Sequence, residues 1–241
     1  MNIRAVICDV YHTLLEVGPP PTDAPSQWEG IWGETFRASP RLSLEGFAAK
    51  ASDIIEREHA AAKAVGVAYP EILWPAVANE ALPELAQLSA DQRDEFLYQH
   101  AQLQRSVNLM PGATEALSGL VAQKKYLGLA SNAQPYTLRE LDAALTKAGL
   151  SRSLFHPELR FWSFEHGFSK PDPHVFRMLR ARLLALGVAP QETLMVGDRL
   201  DNDIGPARAQ GWQTWRISKD AAPDSPSTGD WCALDRELGA A

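Results

Sequence analysis

Residues 3–13 read IRAVICDVYHT, and the interpretation of the whole chain starts from this segment. It opens with an apolar, partly β-branched run that stops abruptly at Asp9. Such a run is typical of a strand that is buried on both faces of a parallel sheet. We therefore predict a first strand over residues 3–8, with Asp9 and Thr13 just beyond its carboxyl end.

From Pro111 onward, predicted helices and strands alternate along the chain. Helices are predicted over 112–125, 135–148 and 173–186 and after Asp203, and strands over 126–130, 159–163, 193–196 and 213–216. Alternation of this kind indicates a parallel sheet with helices on both faces. The sequence therefore predicts a doubly wound, Rossmann-like α/β core, followed after Ile217 by a loosely ordered tail.

Residues 17–109 have a different pattern, with several helical runs and no convincing strand. One run has apolar or small residues at helical spacing from Phe47 to Val65, and the segment begins with a proline-rich stretch. Such a stretch is stiff enough to act as a spacer between two bodies. We therefore predict an α-helical cap domain at 17–109, inserted into a discontinuous core domain at 1–16 and 110–241.

The length, charge and cysteine content of the chain argue against several classes of function. The chain has 241 residues and a formal net charge of −7, so no broad cationic field attracts nucleic acid. Its two cysteines, Cys8 and Cys232, lack the spacing of a disulfide framework or a zinc site. No segment approaches the roughly 18 apolar residues of a membrane span, and the first apolar run is too short for a signal peptide. We expect a cytoplasmic monomer or homodimer that acts on a small molecule and binds neither nucleic acid nor membranes.

Polar residues follow the predicted strands at the edge where open parallel sheets bind ligands. They are Asp9 and Thr13 after the first strand, Ser131 and Asn132 after the second, Lys170 in the loop after the third, and Asp198 with Asp203 after the fourth. Each residue alone is also what a turn or a helix cap needs. Their order at successive strand ends favours one shared site, in which Thr13, Ser131 and Asn132 are candidates to bind substrate.

These residue types suit displacement at phosphorus. A carboxylate that approaches a phosphate dianion meets repulsion of roughly 4 kcal/mol per charge pair at about 4 Å and an effective dielectric of about 20, so cations must be supplied. Asp9 and Asp198 could hold Mg2+, which needs few protein carboxylates. Lys170 would supply another positive charge, while the Thr13 and Ser131 hydroxyls would hold phosphoryl oxygens. Asp9 would then form a covalent aspartyl-phosphate.

The ordered set resembles the haloacid dehalogenase superfamily, with a helical cap placed as in its C1 subgroup. DVYHTL at residues 9–14 resembles the first motif, Ser131 the second, Lys170 the third, and Gly197-Asp198 with Asp203 the fourth. The resemblance implies that Asp9 is the nucleophile. It also implies that Asp198 and the backbone carbonyl of Tyr11 complete an Mg2+ site, which Asp203 supports.

Tyr11 departs from the phosphatases of that superfamily, which carry a second aspartate at this place as general acid and base. Loss of a positioned acid costs about 10^2 to 10^4 in rate. A phenol with a pKa of about 10 is a poor replacement at neutral pH. His12 stands where glycine is usual, and it is either a replacement for the acid or a turn residue that tolerates positive φ.

Tyrosine at this place also resembles the true hydrolytic dehalogenases, in which the departing halide needs no proton. Those enzymes resemble one another in a Ser-x-Asn where this chain has Asp198-Arg199-Leu200, and in a tyrosine where it has Phe176. Their halide-binding arginine is matched only loosely by Arg37 or Arg41. The sequence therefore predicts Mg2+-dependent hydrolysis of a small phosphorylated substrate, with dehalogenation or a non-catalytic phosphate-binding or interaction role as alternatives.

The sequence of the predicted cap gives little indication of which substrate the protein binds. Trp28 and Trp32 lie one helical turn apart, and Trp74 follows later in the same segment. These rings would serve either an aromatic specificity pocket or buried packing. Arg37, Arg41 and Arg57 would meet either an anionic substrate or solvent.

Overall fold

A six-stranded parallel sheet forms the centre of the computed structural model, which describes residues 2–218 and 227–239. Its strands, in spatial order, are β5 (Arg160–Trp162), β4 (Tyr126–Ser131), β1 (Ala5–Cys8), β6 (Thr193–Gly197), β7 (Gln213–Ile217) and β8 (Thr228–Gly229). Every pair of neighbouring strands is parallel. The predicted first strand is confirmed as β1, which lies between β4 and β6 with all four residues buried.

Helices pack on both faces of this sheet, because successive strand side chains point to opposite faces. Val6 and Cys8 of β1 share an apolar cluster with α5 (Ala113–Ala122), α6 (Pro135–Lys147) and α10 (Trp231–Gly239). Ala5 and Ile7 share the other cluster with α8 (Pro173–Ala185) and α9 (Gly205–Ala209), and the short α7 (Ser163–His166) follows β5. The predicted doubly wound α/β core is therefore confirmed.

Four helices lie between the first strand and the rest of the sheet in sequence. They are α1 (Ala24–Phe36), α2 (Leu44–Ala64), α3 (Trp74–Ala81) and α4 (Ala90–Gln102). Their apolar side chains form a cluster of their own, drawn from residues 24–103. Within it Trp28 stacks on Phe47 with ring centroids 5.5 Å apart, and Trp32 is buried beside them. Trp28 and Trp32 thus serve packing, whereas the domain limits stated above stay a prediction.

Two short strands join the helical segment to the sheet. β2 (Leu15–Gly18) pairs antiparallel with β3 (Ser106–Leu109). The prediction that residues 17–109 contain no strand is therefore wrong. Each of the two strands has only four residues and is partly exposed, so neither carries the apolar run that identifies a buried strand.

The end of the chain is more ordered than predicted. After Ile217 the described residues include β8 and α10, and Trp231 of α10 is fully buried. The Nε1 atom of Trp231 donates a hydrogen bond of 2.7 Å to the carbonyl oxygen of Thr13. The predicted loose tail is therefore wrong for residues 227–239, and residues 219–226 lie outside the described residues.

Several cap residues whose role the sequence did not determine have side chains on the surface. Arg41 pairs with Glu84 and Arg57 with Glu80, each at 2.7 Å. Val65 lies just past the end of α2 and is 81% exposed, so the predicted apolar stripe does not extend to it. Within residues 2–218 and 227–239, no helix combines the length and the apolar character that crossing a membrane requires.

The His100 ring is packed among the cap aromatics and gives the fold a pH dependence. Burial lowers the pKa of His100 from 6.5 to about 4. Because the unfolded chain binds this proton more readily, the protein should lose about 3 kcal/mol of unfolding free energy as the pH falls from about 6.5 to about 4. Urea unfolding across this range should therefore show a smaller loss in His100→Gln than in wild type. The exposed His174→Gln variant should follow wild type, and equal loss in all three proteins would contradict the assignment.

Candidate active site

The carboxyl ends of three adjacent strands bring the predicted residues together. β4, β1 and β6 are neighbours in the sheet, and Asn132, Asp9 and Asp198 directly follow them. A cavity of about 160 Å³ opens at this edge. It is lined by Asp9, Tyr11, His12, Asn132, Lys170, Asp198, Arg199, Asn202 and Asp203.

Lys170 lies at the centre of the cavity and is only 3% exposed. Its Nζ atom donates to Oδ1 of Asp9 at 2.7 Å and to Oδ1 of Asp203 at 2.5 Å. Burial alone would lower the pKa of Lys170, but Asp9 and Asp203 raise it above its ordinary value, so the ammonium stays charged. Asn132 fixes this residue in place: its Oδ1 accepts from the Lys170 N–H at 2.7 Å, and its Nδ2 donates to the Lys170 carbonyl at 2.9 Å.

Three carboxylates face one another around this ammonium. Oxygen atoms of Asp9, Asp198 and Asp203 all lie within 4.8 Å of one another. Burial raises the pKa of Asp9 from 3.8 to about 6, and the charges of Asp203 and Asp198 add to the rise that Lys170 opposes. Burial and Asp203 likewise raise the pKa of Asp198. Because the Lys170 ammonium bonds to two of these three carboxylates, Asp9 and Asp203, a hard dication such as Mg2+ fits the remaining charge and the donor set.

Asp203 is positioned by a π-helical turn over Leu200–Ile204. Its Oδ2 atom accepts a hydrogen bond of 3.1 Å from the Arg199 N–H. Gly197 ends β6 beside it, and a Cβ atom on this glycine would lie 2.5 Å from the Asp203 carboxyl carbon. Any larger residue would therefore displace Asp203. Asp201 instead pairs with Arg199 at 2.6 Å and does not line the cavity.

The two predicted hydroxyls also lie at this edge of the sheet. Thr13 is fully buried, and its Oγ1 donates to Oδ2 of Asp9 at 3.5 Å. Ser131 is the last residue of β4, and its buried Oγ has no partner among the described residues.

His12 has a φ of 60°, the conformation that glycine favours and histidine tolerates. His12 therefore fits the turn after Asp9, and it also lines the cavity.

The hydroxyl of Tyr11 forms hydrogen bonds in a cluster beneath α6. It donates to the fully buried Glu140 carboxylate, lies 2.9 Å from the Thr137 Oγ1, and accepts from Arg105 Nη2 at 2.9 Å. Arg105 also pairs with Glu140 at 3.3 Å, and Gln102 donates to Glu140 at 3.0 Å. Burial raises the pKa of Tyr11 above its ordinary value, so the phenol stays protonated.

Glu140 and Arg105 were not among the predicted site residues. Glu140 had a detectable signal, because it lies on the same helical face as the buried Leu141 and Ala144, where an acid is out of place. Arg105 precedes β3 in a polar stretch and has no such signal. Only the fold brings it to Tyr11, 94 positions away in sequence.

The family model of the haloacid dehalogenase-like hydrolases matches residues 3–211. The chain belongs to this family. The match includes every predicted site residue from Asp9 to Asp203, so the resemblance inferred from the motifs is confirmed at the level of the superfamily.

Two relatives of this haloacid dehalogenase-like hydrolase are phosphatases with different substrates in their names. The chain is 36% identical over 122 residues, 51% of its length, to phosphoserine phosphatase of Thermus thermophilus, and 41% identical over 76 residues, 32% of its length, to glyceraldehyde 3-phosphate phosphatase of Methanopyrus kandleri. These alignments span 45% and 31% of the two relatives, less than half of each.

A solved structure of 2-haloacid dehalogenase from Pseudomonas syringae pv. Tomato DC3000 matches the whole fold. The match covers 99% of both chains with a TM-score of 0.62 and 20% sequence identity. At this identity the likeness shows the shared fold alone.

Proposed function

We propose that this hydrolase is a Mg2+-dependent phosphomonoesterase of the C1-capped subgroup, acting on a small phosphorylated molecule. The observation that carries the proposal is the hydrogen-bonded bridge from Lys170 to Asp9 and Asp203, with Asp198 in the same cavity. This arrangement supplies a carboxylate nucleophile together with a fixed cation. The names of the two curated relatives, both phosphatases, support the same activity.

In the proposed reaction an Asp9 carboxylate oxygen attacks phosphorus, the ester P–O bond breaks, and the leaving group departs as an oxyanion that takes a proton from water. Water then hydrolyses the aspartyl-phosphate to inorganic phosphate and the free Asp9 carboxylate. Lys170 holds the attacking carboxylate in position and offsets phosphoryl charge. Thr13 and Ser131 would donate to phosphoryl oxygens. Asp9, Asp198 and the Tyr11 carbonyl would hold Mg2+, with Asp203 in support, and the ion would neutralise charge on the transferring group.

We further propose that the Tyr11 hydroxyl holds Glu140 and Arg105 in position and takes no part in proton transfer. Its hydroxyl is already bonded to Glu140 and Arg105, and its raised pKa makes it a poor acid. A leaving group then departs without help from an acid at this place. Phosphates of acidic alcohols, such as aryl phosphates, should therefore react faster than alkyl phosphates by about 10^2 or more.

Tyr11→Phe tests this role. The variant should lose about 1–3 kcal/mol of unfolding free energy, because the buried Glu140 carboxylate loses a donor. Its kcat on an alkyl phosphate, whose leaving group does need an acid, should change by less than about tenfold, whereas loss of a true acid costs about 10^2 to 10^4. Urea unfolding and steady-state kinetics measure the two effects. A kcat loss of about 10^2 on an alkyl phosphate, with stability unchanged, would make Tyr11 a catalytic acid.

Hydrolytic dehalogenation is the second candidate, and Tyr11 is the residue that favours it. The two cap arginines that loosely match the halide-binding arginine, Arg37 and Arg41, do not line the cavity, and Arg41 pairs with Glu84 instead. Asp198 and Asp203 add two carboxylates that a metal-free reaction does not require. The charge of the cavity therefore favours the phosphatase.

The two activities separate in one assay set. Purified protein should release phosphate from p-nitrophenyl phosphate with Mg2+, and EDTA in excess should reduce the rate at least about 10^2-fold, because the carboxylates then repel the substrate. Restored Mg2+ should restore the rate. Chloride release from 2-chloropropionate in EDTA, without phosphate release, would instead identify a dehalogenase.

A further inference from the structure

A second cavity lies between the cap helices and α6, separate from the cavity that contains Asp9. Its volume is about 230 Å³, which equals the volume that about eight water molecules occupy in the liquid. Small and apolar side chains of α2, including Ala48, form one wall, and Trp74, His100, Arg105 and Tyr136 form much of the rest. A largely apolar cavity with a few polar groups is the usual form of a small-molecule site.

Three buried nitrogen atoms in this lining have no hydrogen-bond partner in the described part of the chain. They are Nε1 of Trp74, Nδ1 of His100 and Nε of Arg105. Buried polar atoms are nearly always bonded, and an unmade bond costs about 1–3 kcal/mol. The indole and guanidinium nitrogens can only donate, so the missing partner is an acceptor. All three atoms are covered in this conformation, so a ligand reaches them only after side chains of the lining move.

The unused hydrogen-bond donors of the lining favour an anionic acceptor. Arg105 is the only residue of this lining that is charged at neutral pH, within the residues that the structure describes, since His100 is neutral. The Nη2 atom of Arg105 is already bonded to Tyr11 and to Glu140, whose carboxylate offsets the guanidinium charge, and the Nε–H remains unused. A hydrogen bond from a charged donor to a carboxylate is stronger than one to a neutral acceptor.

The shape of the cavity selects for a flat apolar body. The rings of Trp74 and His100 stack with centroids 5.5 Å apart and planes 18° apart, and His100 is only 5% exposed. The facing sides of these two rings cover each other, so a flat ligand would pack against the remaining aromatic surface of the lining, from Trp74 and Tyr136. A molecule of about eight to ten non-hydrogen atoms would fill the space.

We propose that this cavity binds a small molecule that carries a carboxylate on a flat apolar body. The bond between Arg105 and Tyr11 places the ligand beside the active site, because Tyr11 also lines the cavity of Asp9. The ligand is either the leaving-group part of the substrate or a separate effector. Binding itself does not depend on the phosphatase function, whereas the link with turnover rests on it.

Isothermal titration calorimetry with benzoate tests binding without turnover. Benzoate should bind at least about tenfold more tightly than the neutral benzyl alcohol, because a charged acceptor strengthens bonds to Arg105 and Trp74. Trp74→Phe keeps a ring but removes the indole N–H, and Ala48→Leu fills the cavity from an exposed helix position. Each variant should weaken benzoate at least about tenfold.

Ala60→Leu is the matched control, since Ala60 is exposed on α2 and does not line the cavity. It should bind benzoate like wild type. Absence of benzoate binding, equal affinity for benzyl alcohol, or wild-type affinity in Ala48→Leu would overturn the proposal. The same titration in Asp9→Asn should give an unchanged affinity for benzoate. Wild-type protein that binds benzoate but releases no phosphate would therefore refute the phosphatase assignment and leave this binding site intact.

Kinetics then distinguish the two sources of the ligand. If the cavity holds the leaving group, benzoate should compete with p-nitrophenyl phosphate. In that case p-carboxyphenyl phosphate should have a kcat/KM at least about tenfold above phenyl phosphate, and Ala48→Leu should remove this preference. If the ligand is an effector, benzoate and substrate should bind together, and benzoate should change kcat without competition.

Discussion

Asp9→Asn should abolish phosphate release while the protein remains folded. The amide is not nucleophilic, and removal of an attacking group costs at least about 10^4 in kcat. Lys170 keeps its bond to Asp203, so the centre of the cavity retains one of its two ionic contacts. Steady-state release from p-nitrophenyl phosphate measures the loss, with circular dichroism as the check on folding.

The same variant should be more stable than wild type in metal-free buffer at neutral pH. Burial raises the pKa of Asp9 to about 6 from 3.8, so wild type loses stability as the pH rises through this window and Asp9 ionises. The amide carries no such charge, and the gain should reach up to about 3 kcal/mol. Asp201→Asn is the matched control, because Asp201 is exposed and outside the cavity, and it should change neither rate nor stability appreciably. Wild-type turnover in Asp9→Asn would refute the nucleophile assignment.

Lys170→Met should produce the second large loss. Without the ammonium, Asp9 and Asp203 keep their mutual repulsion and lose a shared donor. The pKa of Asp9 should rise further, so less of the nucleophile is ionised, and kcat should fall about 10^3-fold. Loss of one partner from a buried ion pair should also cost about 3 kcal/mol of unfolding free energy.

The stability loss in Lys170→Met should be larger at pH 8 than at pH 5, because protonation of Asp9 relieves the repulsion at low pH. Urea unfolding at the two pH values measures the difference. Lys63→Met, at an exposed position of α2, is the matched control and should behave like wild type. An equal loss at both pH values would mean that Lys170 contributes packing alone.

The strands and the site positions that could be predicted share one physical property. β1, β4 and β6 are buried, so their apolar runs stop at the points where polar chemistry begins. Asp9, Asn132 and Asp198 could therefore be placed at one edge from sequence. β2 and β3 are half-exposed and show no such change from apolar to polar residues, and α10 follows a segment that gives no periodic signal. These three elements were therefore not predicted.

The role of Tyr11 could not be predicted from its own neighbourhood. Its hydroxyl is bonded to Glu140 and Arg105, which lie 129 and 94 positions away. Sequence spacing indicates which residues share a strand end, but not which way a long side chain turns. The same limit applies to the second cavity, whose lining comes from three cap helices and α6.

A covalent phosphoryl group on Asp9 is the most direct consequence of this mechanism. Protein mixed rapidly with p-nitrophenyl phosphate and Mg2+, quenched in acid and treated with borohydride, should yield a peptide in which Asp9 has become homoserine, because borohydride reduces acyl phosphates and spares free carboxylates. Asp9→Asn protein should give no such peptide. An unmodified Asp9 in wild-type protein that is releasing phosphate would contradict the account.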